Sequence, residues 1–476
     1  MTTIEIIIRD KDGNIINEPE KRKYQLNIGN SSFNDIEGAV ESFKKIALPD
    51  ISSDLLNEAQ ANFVKDKKTV VSCNGKIPVK IKSLQGSLQF KVQRFKMKDT
   101  SEEEDVTYFD LTNQFKDGYI SDRLKEFSSY YSNRLSYEDV EELIKRTTGE
   151  KQLSDQKIRG IVVDKARELS KEIEKEVKRI IEDESLQMPE VNVGVDIYDP
   201  EEDEILLFDD GIQVKGQKEN RQRIEAGSII AISDECENKR IRVNSNVIML
   251  EKKEGGFEYI AGVIDEAGEE LIPLEQVVKS KIIKEYGEKK GPLNFVAITD
   301  GAKDIRLRLL SIFGIVITII LDWYHLVKKV RELMSMIAIN KEEKLIHLKF
   351  LFYNLWRGMT DEALGYLKTE VKAKNEKKLD ELIRYIEKHK EEIIDYSSRK
   401  ESGKTIGSGR VEKGCDQVIG NRQKKKGMSW GKQGSRSLGI LKVVELNNEW
   451  EKTWFPEEAA NSEANSSFQL PLAANM

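Results

Sequence analysis

Cysteine is scarce in this chain, and each one stands alone. Among 476 residues there are three, Cys73, Cys236 and Cys415. They lie far apart and none forms a Cys-x-x-Cys pair, so neither a zinc ribbon nor a disulfide framework is supported and the reading is cytoplasmic. Histidine is as rare, with three residues, which argues against a zinc site built on imidazoles. Long apolar runs are missing too. The longest, Ile315 to Leu321, is interrupted by Thr318 and falls far short of the roughly 20 residues of a membrane helix. Glu5, Arg9 and Asp10 break any signal-peptide core, so no membrane partner is expected. An overall basic balance is also absent: 77 Lys and Arg stand against 84 Asp and Glu, a net charge of −7. That weakens the case for a protein that coats DNA without specificity and directs attention to local charge.

What is present is enough chain for two or three cores, with marked changes of pattern along it. Residues 1–115 read as an α+β region. A hairpin over Thr3 to Arg9 turns at Asp12-Gly13, a helix spans Asn34 to Val64, and alternation around Val79 to Ile81 and Leu88 to Val92 predicts a second hairpin about Gly86. Residues 116–188 turn helical. Tyr137, Val140, Leu143 and Ile144 make a short amphipathic helix, Thr147-Thr148-Gly149 breaks it, and Ser154 caps another carrying Ile158, Ile161, Val162 and Ala166. This is helix-turn-helix spacing, and it would offer Gln156, Lys157 and Arg159 to a DNA groove. Glu168 to Glu184 reads as a solvated linker helix.

Residues 189–325 alternate strands and helices: Ile205–Val214, Val247–Lys252, Phe257–Val263, helix Leu274–Tyr286, Asn294–Thr299, helix Ala302–Phe313 and Val316–Leu321. Three strands, helix, strand, helix, strand, helix is the order of a ribonuclease H-like α/β core. Residues 326–400 are all helical and read as an insertion. Residues 401–455 complete the core, and 456–476 form a disordered tail.

Three acids fall where such a sheet gathers its strand ends. Asp210 lies in the first strand, Asp300 directly follows the fourth, and Glu412 lies on a helix opened by Gly407-Ser408-Gly409, with Ser408 as its expected N-cap. Carboxylates brought together repel unless divalent cations neutralise them, so Mg²⁺ or Mn²⁺, as two ions, is the expected cofactor. Because side chains alternate along a strand, only one of Asp209 and Asp210 can face the site; Asp196 is a further alternative, and Asp416 a substitute for Glu412. Asp209, Asp322 and His325 are candidates for supporting positions. From Arg410 to Lys442 nine cations face two acids, Glu412 and Asp416, a local excess that calls for a polyanion. Arg410, Arg422, Lys424, Lys425, Lys426, Lys432 and Arg436 are the expected phosphate contacts, and Trp430 a base-stacking candidate.

At these residues the chain resembles bacterial insertion-sequence transposases of the DDE type, in the wider group related to Mutator-like elements. The segments that carry the resemblance are Asp209-Asp210-Gly-Ile-Gln-Val-Lys, Ile298-Thr-Asp300-Gly-Ala, Ile320-Leu-Asp322-Trp-Tyr-His325-Leu and Gly407-Ser-Gly-Arg-Val-Glu412, with Arg-Gln-Lys-Lys-Lys-Gly-Met-Ser-Trp downstream. They span residues 120–450. The resemblance implies an N-terminal DNA-binding region and a catalytic core in which Asp210, Asp300 and Glu412 hold two metal ions. It further implies cleavage at element ends and strand transfer into target DNA. The implied partners are terminal inverted repeats, target DNA and further copies of the chain, in a nucleoid-associated setting. Relatives often carry a Cys-rich metal-binding module near the N-terminus; here Cys73 stands alone.

Overall fold

The computed structural model describes residues 2–27, 32–67, 71–97, 105–115, 118–217, 241–288, 291–314 and 317–456. Cys236 and the tail 457–476 lie outside them. Contacts divide the chain into two compact units, Met1–Val162 and Val163–Met476, coarser than the six stretches read from the sequence.

In the first unit the chain turns at Asp12-Gly13 as expected: the Arg9–Ile15 bridge flanks the turn, with Asp10 N–H donating to the Asn14 carbonyl and Ile16 N–H to the Ile8 carbonyl, both at 2.9 Å. The regular strands lie further out, where β1 (Thr2–Glu5) pairs antiparallel with β2 (Lys23–Leu26). The Asp10 carboxylate also accepts from the Asp12 and Asn14 N–H groups, which closes the turn. α1 (Phe33–Asp66) packs on the long hairpin of β3 (Val71–Ser83) and β4 (Gly86–Met97), which β5 (Val106–Thr107) extends. Gly86, at φ +127°, makes the turn. Phe90, Val92, Phe95 and Phe109 form the buried centre of this unit. The helices that follow are α2 (Tyr108–Leu111), α3 (Asp122–Ser132), α4 (Tyr137–Thr148) and α5 (Asp155–Glu182). α4 opens on a Ser136–Asp139 capping box and ends at Gly149 in the left-handed conformation, as its sequence predicts.

The boundary between units falls inside α5, so the expected separate linker helix is corrected: one 28-residue helix runs through Glu182. Its second half is not fully solvated. Val177 and Ile180 are buried, and Val177 belongs to the core under the sheet.

The second unit is a mixed α/β fold. Its five strands are β6 (Ile205–Lys215), β7 (Arg242–Glu251), β8 (Phe257–Ala261), β9 (Phe295–Thr299) and β10 (Thr318–Leu321), in spatial order β10-β9-β6-β7-β8. β6 is central, antiparallel to β7 and parallel to β9, while β9 is parallel to β10. α6 (Leu274–Tyr286) and α7 (Lys303–Phe313) connect the strands and cover one face together with Leu207, Phe295 and Ala297. The opposite face, with Phe208, Val296, Ile298 and Ile320, is covered by α8 (Trp323–Ile337), α9 (Lys341–Trp356), α10 (Thr360–Thr369), α11 (Glu376–Lys388) and α12 (Tyr396–Glu401). These helices, read as an insertion, share one continuous core with that face of the sheet. The chain then returns through α13 (Gly409–Cys415), a π turn over Asp416–Gly420, α14 (Asn421–Gln423), α15 (Lys432–Leu446) and α16 (Trp450–Trp454).

Burial follows strand alternation. Phe208 points to the α8 side and Leu207 to the α7 side, so Asp210 shares the face of Phe208 and Asp209 that of Leu207.

Candidate functional site

Register brings three acids level at one edge of the sheet. Phe208 pairs with Ile298 across β6 and β9, and Thr299 with Leu321 across β9 and β10. Counting on along parallel strands sets Asp210 beside Asp300 and Asp300 beside Asp322, one strand spacing apart. The Asp322 N–H donates to the Thr299 carbonyl at 2.8 Å, which fixes this alignment.

Asp300 turns the chain from β9 into α7. Its Oδ1 accepts from Ala302 N–H at 2.8 Å, and Gly301 takes φ +80°. A side chain at Gly301 would come within 2.7 Å of His389, which explains the glycine directly after the acid. Asp210 accepts at 2.7 Å from its own neighbour, Gly211 N–H. Burial raises its pKa, and the Asp300 charge adds to the rise against the pull of the Gly211 N–H and His325.

Asp322 is fully buried and serves two elements at once. Oδ1 caps α8, accepting from Tyr324 and His325 N–H at 2.5 and 2.9 Å. Oδ2 accepts from both the N–H and the hydroxyl of Ser408. This corrects the expected cap of α13: Ser408 makes no capping bond to its own helix, because its hydroxyl is spent on Asp322. Burial pushes the Asp322 carboxyl up, but bonds from His325 and Ser408 outweigh it and hold the pKa at about 2. Gly407 is required next to this clamp, since a Cβ there would meet the Tyr324 ring at 2.7 Å.

The clamp sets the start of α13 and therefore Glu412. The Glu412 side chain is half exposed, and Oε1 lies 3.7 Å from His325 Nδ1, which is also 3.7 Å from Asp322 Oδ2. Neither distance is a hydrogen bond, so Nδ1 is buried without a partner. Asp322 first, then Glu412 and Asp300, raise the His325 pKa against its burial. His325 is thus the point around which Asp210, Asp300, Asp322 and Glu412 gather. Among the described residues, no Lys or Arg pairs with Asp210, Asp300 or Glu412.

Asp209 has a different environment. It is buried on the other face, where Arg308 of α7 forms an ion pair with it. Burial is the larger influence and pushes its carboxyl up to about 6. Asp196 sits in a turn, where its backbone N–H donates to Glu202. Asp416 opens the π turn, exposed.

The fit to a metal ion is partial. The donor set is carboxylate oxygen, the chemistry that Mg²⁺ and Mn²⁺ take, and the Asp300 charge acts on Asp210. Among the described residues, however, no three His, Cys, Asp or Glu groups converge closely enough to hold a metal. Mg²⁺ needs only one or two carboxylates when water and substrate phosphates supply the rest.

The basic segment is less uniform than its sequence suggests. Lys424, Lys425 and Lys426 are exposed, as is Arg410. Arg422 and Trp430, expected at DNA, are instead buried. The segment around Trp430 adds to the end of β6, with Trp430 N–H bonded to the Lys215 carbonyl at 2.9 Å. That turns the indole inward, Nε1 donating to the Gln423 carbonyl at 3.0 Å, with the Arg422 guanidinium 4.9 Å from the ring centroid. Lys432 and Arg436 are ion-paired to Glu269, at 2.7 and 3.4 Å. In the first unit, Gln156, Lys157 and Arg159 are exposed on the opening turns of α5.

Three supporting groups escaped the sequence reading. Arg308 has been described. Arg399, fully buried, makes a two-pronged ion pair with Glu204 at 2.9 and 2.7 Å, tying α12 to the start of β6. Tyr385 and His389 of the helical region stand at Asp300 and Gly301: burial raises the Tyr385 pKa and the Asp300 charge adds to it. Partners 85 to 195 residues apart leave no local signal.

No known protein family matches the chain, and no curated protein matches it. Among solved structures it is similar to the Drosophila P element transposase strand transfer complex, at 11% identity and a TM-score of 0.28, over 71% of this chain and 94% of that one. Among the described residues no helix is long and apolar enough to cross a membrane.

Proposed function

We propose that this chain is a transposase-type enzyme that cuts DNA at element ends and joins the freed strand to target DNA. The observation that carries the proposal is the level alignment of Asp210 and Asp300 on the central and neighbouring parallel strands, with Glu412 brought to the same face beside His325. The strand order, with three antiparallel strands followed by two parallel ones on the other side of β6, supports reading the sheet as a ribonuclease H-like core.

Asp210, Asp300 and Glu412 would hold Mg²⁺ or Mn²⁺, which when bound supplies an activated water or 3′-hydroxyl and charge neutralisation at the leaving oxygen. The chain's own residues do the positioning. Asp322 holds the α13 entry through Ser408, and His325 stands between Asp322 and Glu412. Lys424, Lys425 and Lys426 offer phosphate contacts, as do Lys157 and Arg159 of α5, with Gln156 as a groove contact. Holding the reacting groups in place is what such phosphoryl transfer chiefly needs.

A second reading has an observation in its favour. Glu412 is half exposed and no closed trio of ligands exists among the described residues, as expected of a DNA-binding protein that keeps the fold without strand transfer. A joining assay separates the two. DNA carrying the sequences that flank the reading frame is incubated with the chain and Mg²⁺. Cleaved and joined products that disappear in folded Asp300→Ala and Glu412→Ala variants support the enzyme. DNA retention without any product supports the binding protein.

A further inference from the structure

Helix α9 carries apolar side chains on two sides. His347, Leu348, Leu351, Asn354 and Leu355 are buried against neighbouring helices. On the opposite side Leu345, Ile346 and Tyr353 are exposed by 67, 63 and 57%, and Phe350 by 38%. At 100° per residue, Glu342, Ile346, Lys349, Phe350, Tyr353 and Arg357 form one stripe along the helix. A surface helix ordinarily turns a polar face to water. Here the centre of that face is aliphatic and aromatic, with one face of the Phe350 ring stacked on Tyr366 at 4.0 Å. There is a charge at each end: Glu342 in the first turn and, just past the last, Arg357, whose guanidinium lies 4.0 Å from the Tyr353 ring centroid and so carries its charge onto this face.

That order of charges is self-complementary. Placing α9 antiparallel to a copy of itself, about a two-fold axis between Lys349 and Phe350, sets Ile346 against Tyr353, Lys349 over Phe350 and Glu342 against Arg357, each twice. Such an isologous patch is what a two-fold dimer needs. Its composition, an aromatic centre with an Arg at the rim, matches the anchors of protein interfaces, and Lys349 above a phenyl ring is a favourable cation–π pair. A DNA partner fits less well, because Glu342 and Glu343 would face phosphates and the aliphatic centre would gain nothing from them.

We propose that the exposed face of α9 is a self-association surface that pairs two copies of this chain antiparallel along this helix. The proposal stands independently of the enzymatic reading, since it uses none of the site's residues.

Sedimentation velocity of the full chain across a concentration series, without DNA, tests it. The parent chain is expected to dimerise. Ile346→Asp and Tyr353→Asp should each weaken the dimer on the order of 30-fold or more, the loss expected of a central interface residue. Ile346 is exposed, so the thermal unfolding midpoint of Ile346→Asp should stay at that of the parent chain measured at a concentration where it is monomeric. Tyr353→Asp also removes the ring under the Arg357 guanidinium, and Ile346→Asp is therefore the variant that separates association from stability. Glu342→Arg alone should weaken association, and adding Arg357→Glu should restore it, which a merely sticky surface would not do. A parent chain that stays monomeric at high micromolar concentration overturns the proposal. So does a dimer indifferent to all four substitutions, or one that the double charge reversal fails to rescue. If the parent is monomeric and Lys349→Gln instead weakens DNA binding, the face is a DNA contact and the proposal is wrong.

Discussion

Asp209 and Asp210 are neighbours on one strand and live in opposite environments. Asp209 points to the α7 side, is sealed from solvent, and has the Arg308 guanidinium against it. Asp210 points to the α8 side and meets Asp300 and His325, with no Lys or Arg paired to it among the described residues. One acid is answered by a guanidinium and the other is not. Like charges brought together cost stability; on the α8 face the Gly211 N–H and His325 offset part of that cost, whereas on the α7 face a guanidinium does so.

Removing the partner on the compensated side should have the largest effect. Arg308→Ala strands the Asp209 charge in the core and is expected to lower unfolding free energy by about 3–5 kcal/mol, read from urea midpoints. A loss below about 1 kcal/mol would mean that the pair does not hold the sheet. Next is the clamp between the two strand ends and α13. Asp322→Ala removes a helix cap and buried hydrogen bonds to Ser408, for an expected loss of about 2–3 kcal/mol, and it should abolish joining even where the variant stays folded.

How far the sequence reaches can be seen in the same residues. The strands of the sheet were legible because buried apolar runs of this length have few other homes, and α6 matches its expected limits, Leu274–Tyr286. Asp210 lies in such a strand and Asp300 and Asp322 directly follow one, which is what singled them out, whereas Glu412 sits on the helix Gly409–Cys415 and was picked out by its Gly-Ser-Gly opening. The choice between Asp209 and Asp210 rests on which way the strand faces, and only the packing of Phe208 and Leu207 against different helices decides that. Ser408 misled because a serine ahead of a helix usually caps it, and here a buried acid 86 residues earlier competes for its hydroxyl. Arg422 and Trp430 misled for a related reason: the chain folds back to pair with the end of β6, and that contact has no local pattern. The continuity of α5 was hidden by charged residues surrounding Val177 and Ile180.

Smaller effects should follow from titration. Because the folded-state pKa of Asp209 lies near 6, above that of an unfolded aspartate near 4, the folded protein binds more protons between these values. Stability should therefore fall as pH rises from about 4 to 6, on the order of 1–2 kcal/mol. Asp209→Asn should flatten that slope while Asp210→Asn should leave most of it; the same slope in both variants would remove Asp209 as its source. The smallest effect on the fold, and a distinct one on binding, belongs to the exposed lysines. Replacing Lys424, Lys425 and Lys426 with Gln should leave stability unchanged and reduce the salt dependence of DNA binding by about 0.9 in log–log slope per lost phosphate contact.

The contrast between the two acids is tested most directly by Mn²⁺ binding, followed by calorimetry on the full chain without DNA. Saturable binding by the parent chain, kept in Asp209→Asn and lost in Asp210→Asn with both variants folded, is the expected result. Equal binding by the parent chain and Asp210→Asn would contradict it, and the acids on the α8 face would then be something other than a metal site.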